Sequence, residues 1–213
     1  MAVRSGAWAI VVAGGSGTRF GGAKQFEVVA GRRILDWAVT AARSVAEGVV
    51  VVVPGGLPEH CPSGADQVVA GAETRSGSVR AGLAVVPASA GIIVVHDAVR
   101  PVAGAELFER VVSAVEGGAD AAIPGVAVPD TVRRVRGGTV DRAGLVLVQT
   151  PQAFSATALR SAHSGAPEAT DDAGLIEAAG GSIVVVEGDP RNIKITHAHD
   201  LVVAEALLRE ELR

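Results

Sequence analysis

Short, unbroken apolar runs rich in valine and isoleucine alternate along this chain with segments whose apolar residues recur at helical spacing. Runs of this kind are what strands buried on both faces look like, so the pattern predicts an α/β fold. The predicted strands are Ala7 to Val12, Val49 to Val53, Gln67 to Val69, Ile92 to His96, Ala121 to Pro124, Leu145 to Gln149 and Ile183 to Glu187. Ile34, Leu35, Ala38, Val39 and Ala42 form one helical stripe, and Leu107, Phe108, Val111, Val112 and Val115 form another. Strands that alternate with helices imply parallel pairing through right-handed crossovers.

One stretch breaks the rhythm. Between Val126 and Val148 there is no helical stripe; Thr131 to Arg136 alternates, Gly137-Gly138 reads as a tight turn, and alternation resumes at Thr139. This predicts a β-hairpin arm at about 126–148. A lone hairpin buries too little of its own surface to stand free, and a second copy of the chain is the economical partner.

Composition narrows the class. The 213 residues are 48% hydrophobic, enough for a sizeable core, and the length suits one domain spanning 1–213. The net charge of −4 comes from mixed acidic and basic residues with no basic block, and only 3% of residues are aromatic, so a nucleic-acid partner is not expected. The single cysteine, Cys61, excludes an intrachain disulfide and reads as a small loop residue beside Pro62. No apolar run approaches the roughly twenty residues a membrane helix needs. The opening, Met1 to Gly6, lacks the charged start and long apolar core of a signal peptide, which predicts a cytoplasmic protein.

Candidate chemistry begins where the first strand ends, in Ala13-Gly14-Gly15-Ser16-Gly17-Thr18-Arg19-Phe20-Gly21-Gly22-Ala23-Lys24-Gln25. Glycines let backbone N–H groups close on a polyphosphate, and Arg19 and Lys24 bring the positive charge such a ligand requires. A Walker loop needs Ser or Thr after Gly-Lys, whereas Lys24 lies between Ala23 and Gln25. A dinucleotide fingerprint needs a third glycine where Phe20 stands. The remaining alternative is a glycine-rich turn with surface charges.

The fourth strand runs into His96-Asp97-Ala98-Val99-Arg100-Pro101. Ligands of open parallel sheets bind beyond the carboxyl ends of the strands, so Asp97 is expected beside the glycine-rich loop. A carboxylate there suits Mg²⁺, which prefers oxygen and is held by one or two carboxylates plus substrate phosphates. His96 reads as a packed or supporting residue. Arg100 fits either a pair with Asp97 or a substrate phosphate.

The G-G-S-G-T-R-F loop with Lys24, the H-D-A-V-R-P segment, Asp130-Thr131, Asp141-Arg142, Thr150-Pro151-Gln152, Thr170-Asp171-Asp172-Ala173 and Asn192-Ile193-Lys194-Ile195-Thr196 together resemble one family. It is the 2-C-methyl-D-erythritol 4-phosphate cytidylyltransferases of isoprenoid synthesis, with the similar ribitol-5-phosphate cytidylyltransferases beside them. The resemblance runs in order from about residue 8 to residue 207.

The resemblance implies a Rossmann-like nucleotidyltransferase fold, CTP and a sugar-alcohol phosphate as substrates, Mg²⁺ as cofactor, and a homodimer whose arms complete each other's sites. It implies that Arg19 and Lys24 stabilise charge on the triphosphate and that Asp97 holds the metal. It further implies that Arg142 from the partner's arm and Lys194 position the acceptor phosphate, with Thr131, Arg100 and Thr150 lining that pocket. Nucleotide binding falls to Ala13, Gly14, Gly15 and Gly17, with Gly71, Arg75 and Ser78 selecting the base beside the loop. From their local sequence alone, Lys194 suits a solvent-facing edge strand, Arg142 an ordinary hairpin charge, and Asp171 and Asp172 a helix cap.

The chain departs from the family pattern in three places. Only four residues separate Arg19 from Lys24, Ala72 stands where a second glycine is common, and Val12 replaces a common proline. Two other classes compete: a nucleotide-binding module without turnover, which would lack Arg19, Lys24, Asp97 or Lys194, and a sugar-1-phosphate nucleotidyltransferase, which does not account for the later motifs.

Overall fold

The computed structural model describes residues 3–14, 20, 22–55 and 62–212. Gly15, Gly17 and Arg19, assigned above to the glycine-rich loop, and Cys61 lie outside the described residues.

The elements follow in order: β1 (Arg4–Val12), a short hairpin of β2 (Val28–Val29) and β3 (Arg32–Arg33), α1 (Ile34–Arg43), β4 (Ala46–Val53), β5 (Gln67–Ala70), α2 (Arg75–Leu83) and β6 (Ile92–Asp97). Then come α3 (Ala105–Glu116), β7 (Ala121–Ala127), β8 (Val132–Arg133), β9 (Thr139–Val140), β10 (Val146–Val148), β11 (Gln152–Ser155), α4 (Ala156–Ala162), α5 (Asp172–Ala178), β12 (Ile183–Glu187) and α6 (His199–Glu211).

One mixed sheet runs in the order β10-β7-β11-β6-β1-β4-β5, with β12 also paired to β7. The strands β4, β1 and β6 are parallel, as are β4 with β5 and β12 with β7. The sheet is mostly parallel and flanked by helices, as expected, and the exceptions are β10 and β11, which run antiparallel to their neighbours. The reason is connectivity. A parallel return requires a crossover, usually a helix, and no helix separates β7 from β10 and β11. The four-residue β11, with Ala153 and Phe154 buried, sits between β6 and β7 and was not anticipated by its apolar pattern.

Each face of the sheet carries its own core. Buried residues of α1 and α3 pack with Ala9, Val11, Val49, Val51 and Val94 on one side. On the other, α2, α4 and α5 pack with Ile10, Val50, Val52, Ile93 and Val95. Successive strand residues thus point to opposite helical layers, which is why these strands read as continuous apolar runs. The helix α2 has no apolar stripe because it approaches the sheet through small residues: a methyl group added at Gly82 would stand 2.6 Å from Ile10 Cγ2. A third cluster of Val29, Ile34, Val102, Ile195, Ala204 and Leu208 ties α6 and the segment before it to the β2–β3 hairpin.

In the predicted arm, β8 and β9 form a separate two-stranded antiparallel sheet, and β10 extends the main sheet from β7. No residue from Val126 to Val148 is buried. Among the described residues, no helix is long and apolar enough to cross a membrane.

Candidate active site

The chain leaves β1 to build β4 and β5 on one side, then returns to place β6 on the other. Strand order therefore reverses between β1 and β6, and an open α/β sheet binds its ligands in the crevice beyond the carboxyl ends at such a point. The register puts Val12 opposite Asp97, and Ala98 N–H donates to the Val12 carbonyl at 3.0 Å. Asp97 and Gly14 thus stand at the same end of adjacent strands, as the sequence led one to expect.

Asp97 is the centre of a charged cluster. Lys194 Nζ lies 2.7 Å from Oδ2 and Arg75 Nε 3.3 Å from Oδ1. Burial pushes the carboxyl group up, but the Arg75 and Lys194 cations outweigh it and hold Asp97 well below the ordinary carboxylate range. The group is ionised at neutral pH. Lys194 is not on a strand: it lies on an irregular segment beside the fully buried Ile195, and its partly solvent-exposed side chain reaches Asp97.

Thr150 supports this carboxylate from below. Its hydroxyl accepts the Asp97 backbone N–H at 3.0 Å and lies 3.1 Å from His96 Nδ1. His96 is fully buried against Phe108, ring centroids 5.0 Å apart. Burial lowers its pKa to about 4. A packed or supporting histidine is what the sequence suggested. Arg100, left open between two roles, donates from Nη1 to the Asn192 carbonyl at 2.8 Å, while the Asp97 oxygens are taken by Arg75 and Lys194.

Beside this cluster, the end of β1 meets the start of α2. A methyl group added at Gly14 would stand 3.2 Å from Ser78 Oγ, and one at Gly71 would stand 3.0 Å from the same oxygen and 3.2 Å from the Val53 carbonyl. Ala13 is buried against β4, its N–H donating to Val52. Ser78 itself accepts from Ala72 N–H at 3.1 Å and donates to the Thr74 carbonyl at 2.9 Å. Replacement of glycine by alanine at 72 leaves this backbone contact in place. Arg75, grouped with Gly71 and Ser78 in the sequence, instead directs its guanidinium to Asp97 and Asp172, and its Nη2 is buried with no partner among the described residues.

Lys24 opens a turn of 3₁₀ helix, Lys24–Phe26, just after the glycine-rich loop. Thr131 and Arg142 lie on the exposed arm, and Arg142 donates to the arm's own Val128 and Pro129 carbonyls. Within one chain the fold assembles Asp97, Lys194, Arg75, Thr150 and Arg100, but does not bring Thr131 or Arg142 to them.

Three polar residues of the site carried no chemistry in the sequence reading. Asp172, taken there as part of a helix cap, is fully buried and holds both Arg75 and His163; Asp171 alone caps α5, accepting from Gly174 N–H at 3.0 Å. Gln149 and Asn192 are also buried. Gln149 Nε2 donates to the Asp189 carbonyl at 2.7 Å and Asn192 Nδ2 to the Thr150 carbonyl at 2.9 Å, joining the Lys194 segment to the residues between β10 and β11. The signal available was that Asp172 and Asn192 stand inside quoted motifs.

The donor set suits a particular kind of metal site. Each Asp97 oxygen accepts one hydrogen bond and keeps further lone-pair capacity. No group of three His, Cys, Asp or Glu able to hold a metal occurs among the described residues. A hard cation shared between one carboxylate and the phosphates of a ligand fits that inventory, and a preformed protein cage does not.

Known proteins share this sequence and fold. A model of the family described as "IspD: 2-C-methyl-D-erythritol 4-phosphate cytidylyltransferase" matches residues 7–210. The 2-C-methyl-D-erythritol 4-phosphate cytidylyltransferase of Rubrobacter xylanophilus is 42% identical, over 96% of this chain and 95% of its own. The crystal structure of the enzyme of that name from Thermus thermophilus superimposes with a TM-score of 0.82 at 37% identity, covering 94% of this chain and 98% of that one. A synthase of 4-diphosphocytidyl-2C-methyl-D-erythritol from Anaerococcus prevotii gives a TM-score of 0.81 at 27% identity, over 95% and 98% of the two chains. The chain belongs to the IspD family, the 2-C-methyl-D-erythritol 4-phosphate cytidylyltransferases.

Proposed function

We propose that this chain transfers the cytidylyl group of CTP to 2-C-methyl-D-erythritol 4-phosphate, forming 4-diphosphocytidyl-2-C-methyl-D-erythritol and pyrophosphate. The observation that carries the proposal is the convergence of Asp97, Lys194 and Arg75 at the β1/β6 switch point, directly beyond the strand that leads into the glycine-rich loop. In the reaction an oxygen of the acceptor phosphate attacks the α-phosphorus of CTP; the new P–O bond forms as the bond to the β-phosphate oxygen breaks, and pyrophosphate leaves. Two anions must meet, so the protein's contribution is positioning and charge neutralisation.

The residues divide that work. Arg19 and Lys24 neutralise the triphosphate as negative charge builds on the departing pyrophosphate. Lys194, with Arg100 and Thr150 nearby, orients the acceptor phosphate. Gly14 and Gly71 let the backbone beside the nucleotide loop pass close to Ser78, where a side chain at either position would crowd its hydroxyl. Asp97 would hold Mg²⁺, which supplies further positive charge to the phosphates. Because the Asp97 carboxyl group stays ionised, it is ready for a cation at any neutral pH.

The arm completes the site in a homodimer. Leu145, Val146, Leu147 and Val148 at its base, together with Val184 and Val185 of β12, are all exposed, an apolar area that a second copy would cover. In that assembly Thr131 and Arg142 serve the partner's acceptor phosphate. The test is pyrophosphate release with CTP and Mg²⁺ in the presence of methylerythritol 4-phosphate, ribitol 5-phosphate or no acceptor. Release with methylerythritol 4-phosphate alone supports the reading; release with ribitol 5-phosphate alone replaces the acceptor, and release with neither overturns it.

A further inference from the structure

Asp172 is fully buried at the start of α5, yet both its carboxylate oxygens are engaged. Oδ2 receives Arg75 Nη1 at 2.7 Å, and Oδ1 lies 3.0 Å from Nε2 of the equally enclosed His163. Arg75 then spans to Asp97, where its contact is longer, 3.3 Å. The guanidinium is therefore fastened to Asp172 and only leans on Asp97. Lys194 already pairs closely with Asp97; a second cation held as closely would cancel still more of the charge that a metal needs, whereas one shared with a second carboxylate orients Asp97 at a smaller cost to that charge.

We infer that Asp172, fixed by His163, is a positioning residue: it anchors Arg75 so that Asp97 is held in orientation while remaining open to a divalent cation. This rests on the reading of Asp97 as the carboxylate that holds Mg²⁺. The helix-cap role would have been filled by Asp171 alone, which leaves the burial of a second carboxylate beside it otherwise unexplained.

The electrostatic sign is the same by either route. Replacing Asp172 by Asn removes a negative charge near the metal position and frees the Arg75 charge to fall on Asp97; both weaken the metal. Partners that orient a ligating carboxylate are typically worth about tenfold or more in metal affinity or activity. The experiment is titration of Mn²⁺ into protein and CTP without acceptor, followed by electron paramagnetic resonance, alongside the Mg²⁺ dependence of pyrophosphate release. Asp172→Asn is expected to raise the half-saturating metal concentration about tenfold, with a much smaller change in kcat at saturating metal. In an Arg75→Met background, the same change is expected to add little.

An Asp172→Asn protein that binds Mn²⁺ as wild type does, or that loses kcat equally at every metal concentration, overturns the inference in favour of a structural role. If Asp172→Asn fails to fold, His163→Gln and His163→Leu carry the test: the first keeps a donor for Asp172 and is expected to retain the wild-type metal requirement, the second to raise it. Equal requirements in the two would overturn the inference. A wild-type protein that binds CTP but no Mn²⁺ would instead refute the reading of Asp97 on which the inference stands.

Discussion

His96 makes the acid response of this fold calculable. Its imidazole is fully buried with Nδ1 beside the Thr150 hydroxyl, and burial holds the group neutral down to about pH 4, whereas in the unfolded chain it takes up a proton near pH 6.5. Between those values the unfolded state binds the extra proton and the native state does not. Stability is therefore lost as pH falls from about 6.5 towards 4, at up to about 1.36 kcal/mol per pH unit, or roughly 3 kcal/mol in all. Asp97 also destabilises the native state in acid, but in a different window. Its native pKa is depressed, so its contribution is present above the unfolded carboxylate value, near 3.9, and is lost only as pH falls below that. Urea unfolding of metal-free protein at several pH values from 7.5 to 4.5 separates the two. His96→Gln keeps a neutral amide beside Thr150, so its stability should decline less steeply over this range than that of the wild type, whatever the two values at pH 7.5. Parallel declines would refute the assignment of His96 as the buried neutral group.

Two further results are expected. Subunits carrying Arg142→Ala and subunits carrying Lys24→Ala, each nearly inactive alone, should recover activity when exchanged into heterodimers, because one of the two sites then contains both intact residues; no recovery despite demonstrated exchange would refute completion of the site by the partner's arm. Ala30→Gly should raise Tm by a few degrees in a thermal melt, since Ala30 sits at φ 49, a left-handed conformation that costs a side-chain-bearing residue about 1 kcal/mol; an unchanged or lower Tm would contradict that reasoning.

How much of the site could be read from sequence depended on how local its signals are. Strands such as β1, β4 and β6 bury both faces, so their apolar runs disclosed them, and the rule for switch points then put Asp97 beside the glycine-rich loop. The strand β11 escaped because four residues, one of them Gln152, carry too little pattern; its burial comes from neighbours far apart in sequence. The helix α2 escaped because small residues replace a stripe where it lies against Ile10. Lys194 and Asp172 show the same limit in the site itself. Taken locally, one suited a solvent-facing strand and the other a helix cap, and only a contact across 97 residues turns each into part of one charged cluster.

The central claim is that the Asp97 cluster serves transfer of a cytidylyl group to an acceptor phosphate, rather than binding or hydrolysis of CTP. Phosphorus-31 NMR of a reaction containing the protein, CTP, methylerythritol 4-phosphate and Mg²⁺ tests this most directly, because it follows where the α-phosphorus goes. The account predicts that the acceptor's monoester signal is replaced by the paired signals of a new diphosphate bridge, in step with the rise of pyrophosphate, and that Asp97→Asn and Lys194→Ala suppress both. Pyrophosphate appearing with CMP while the acceptor signal persists, or CTP remaining intact, would contradict it.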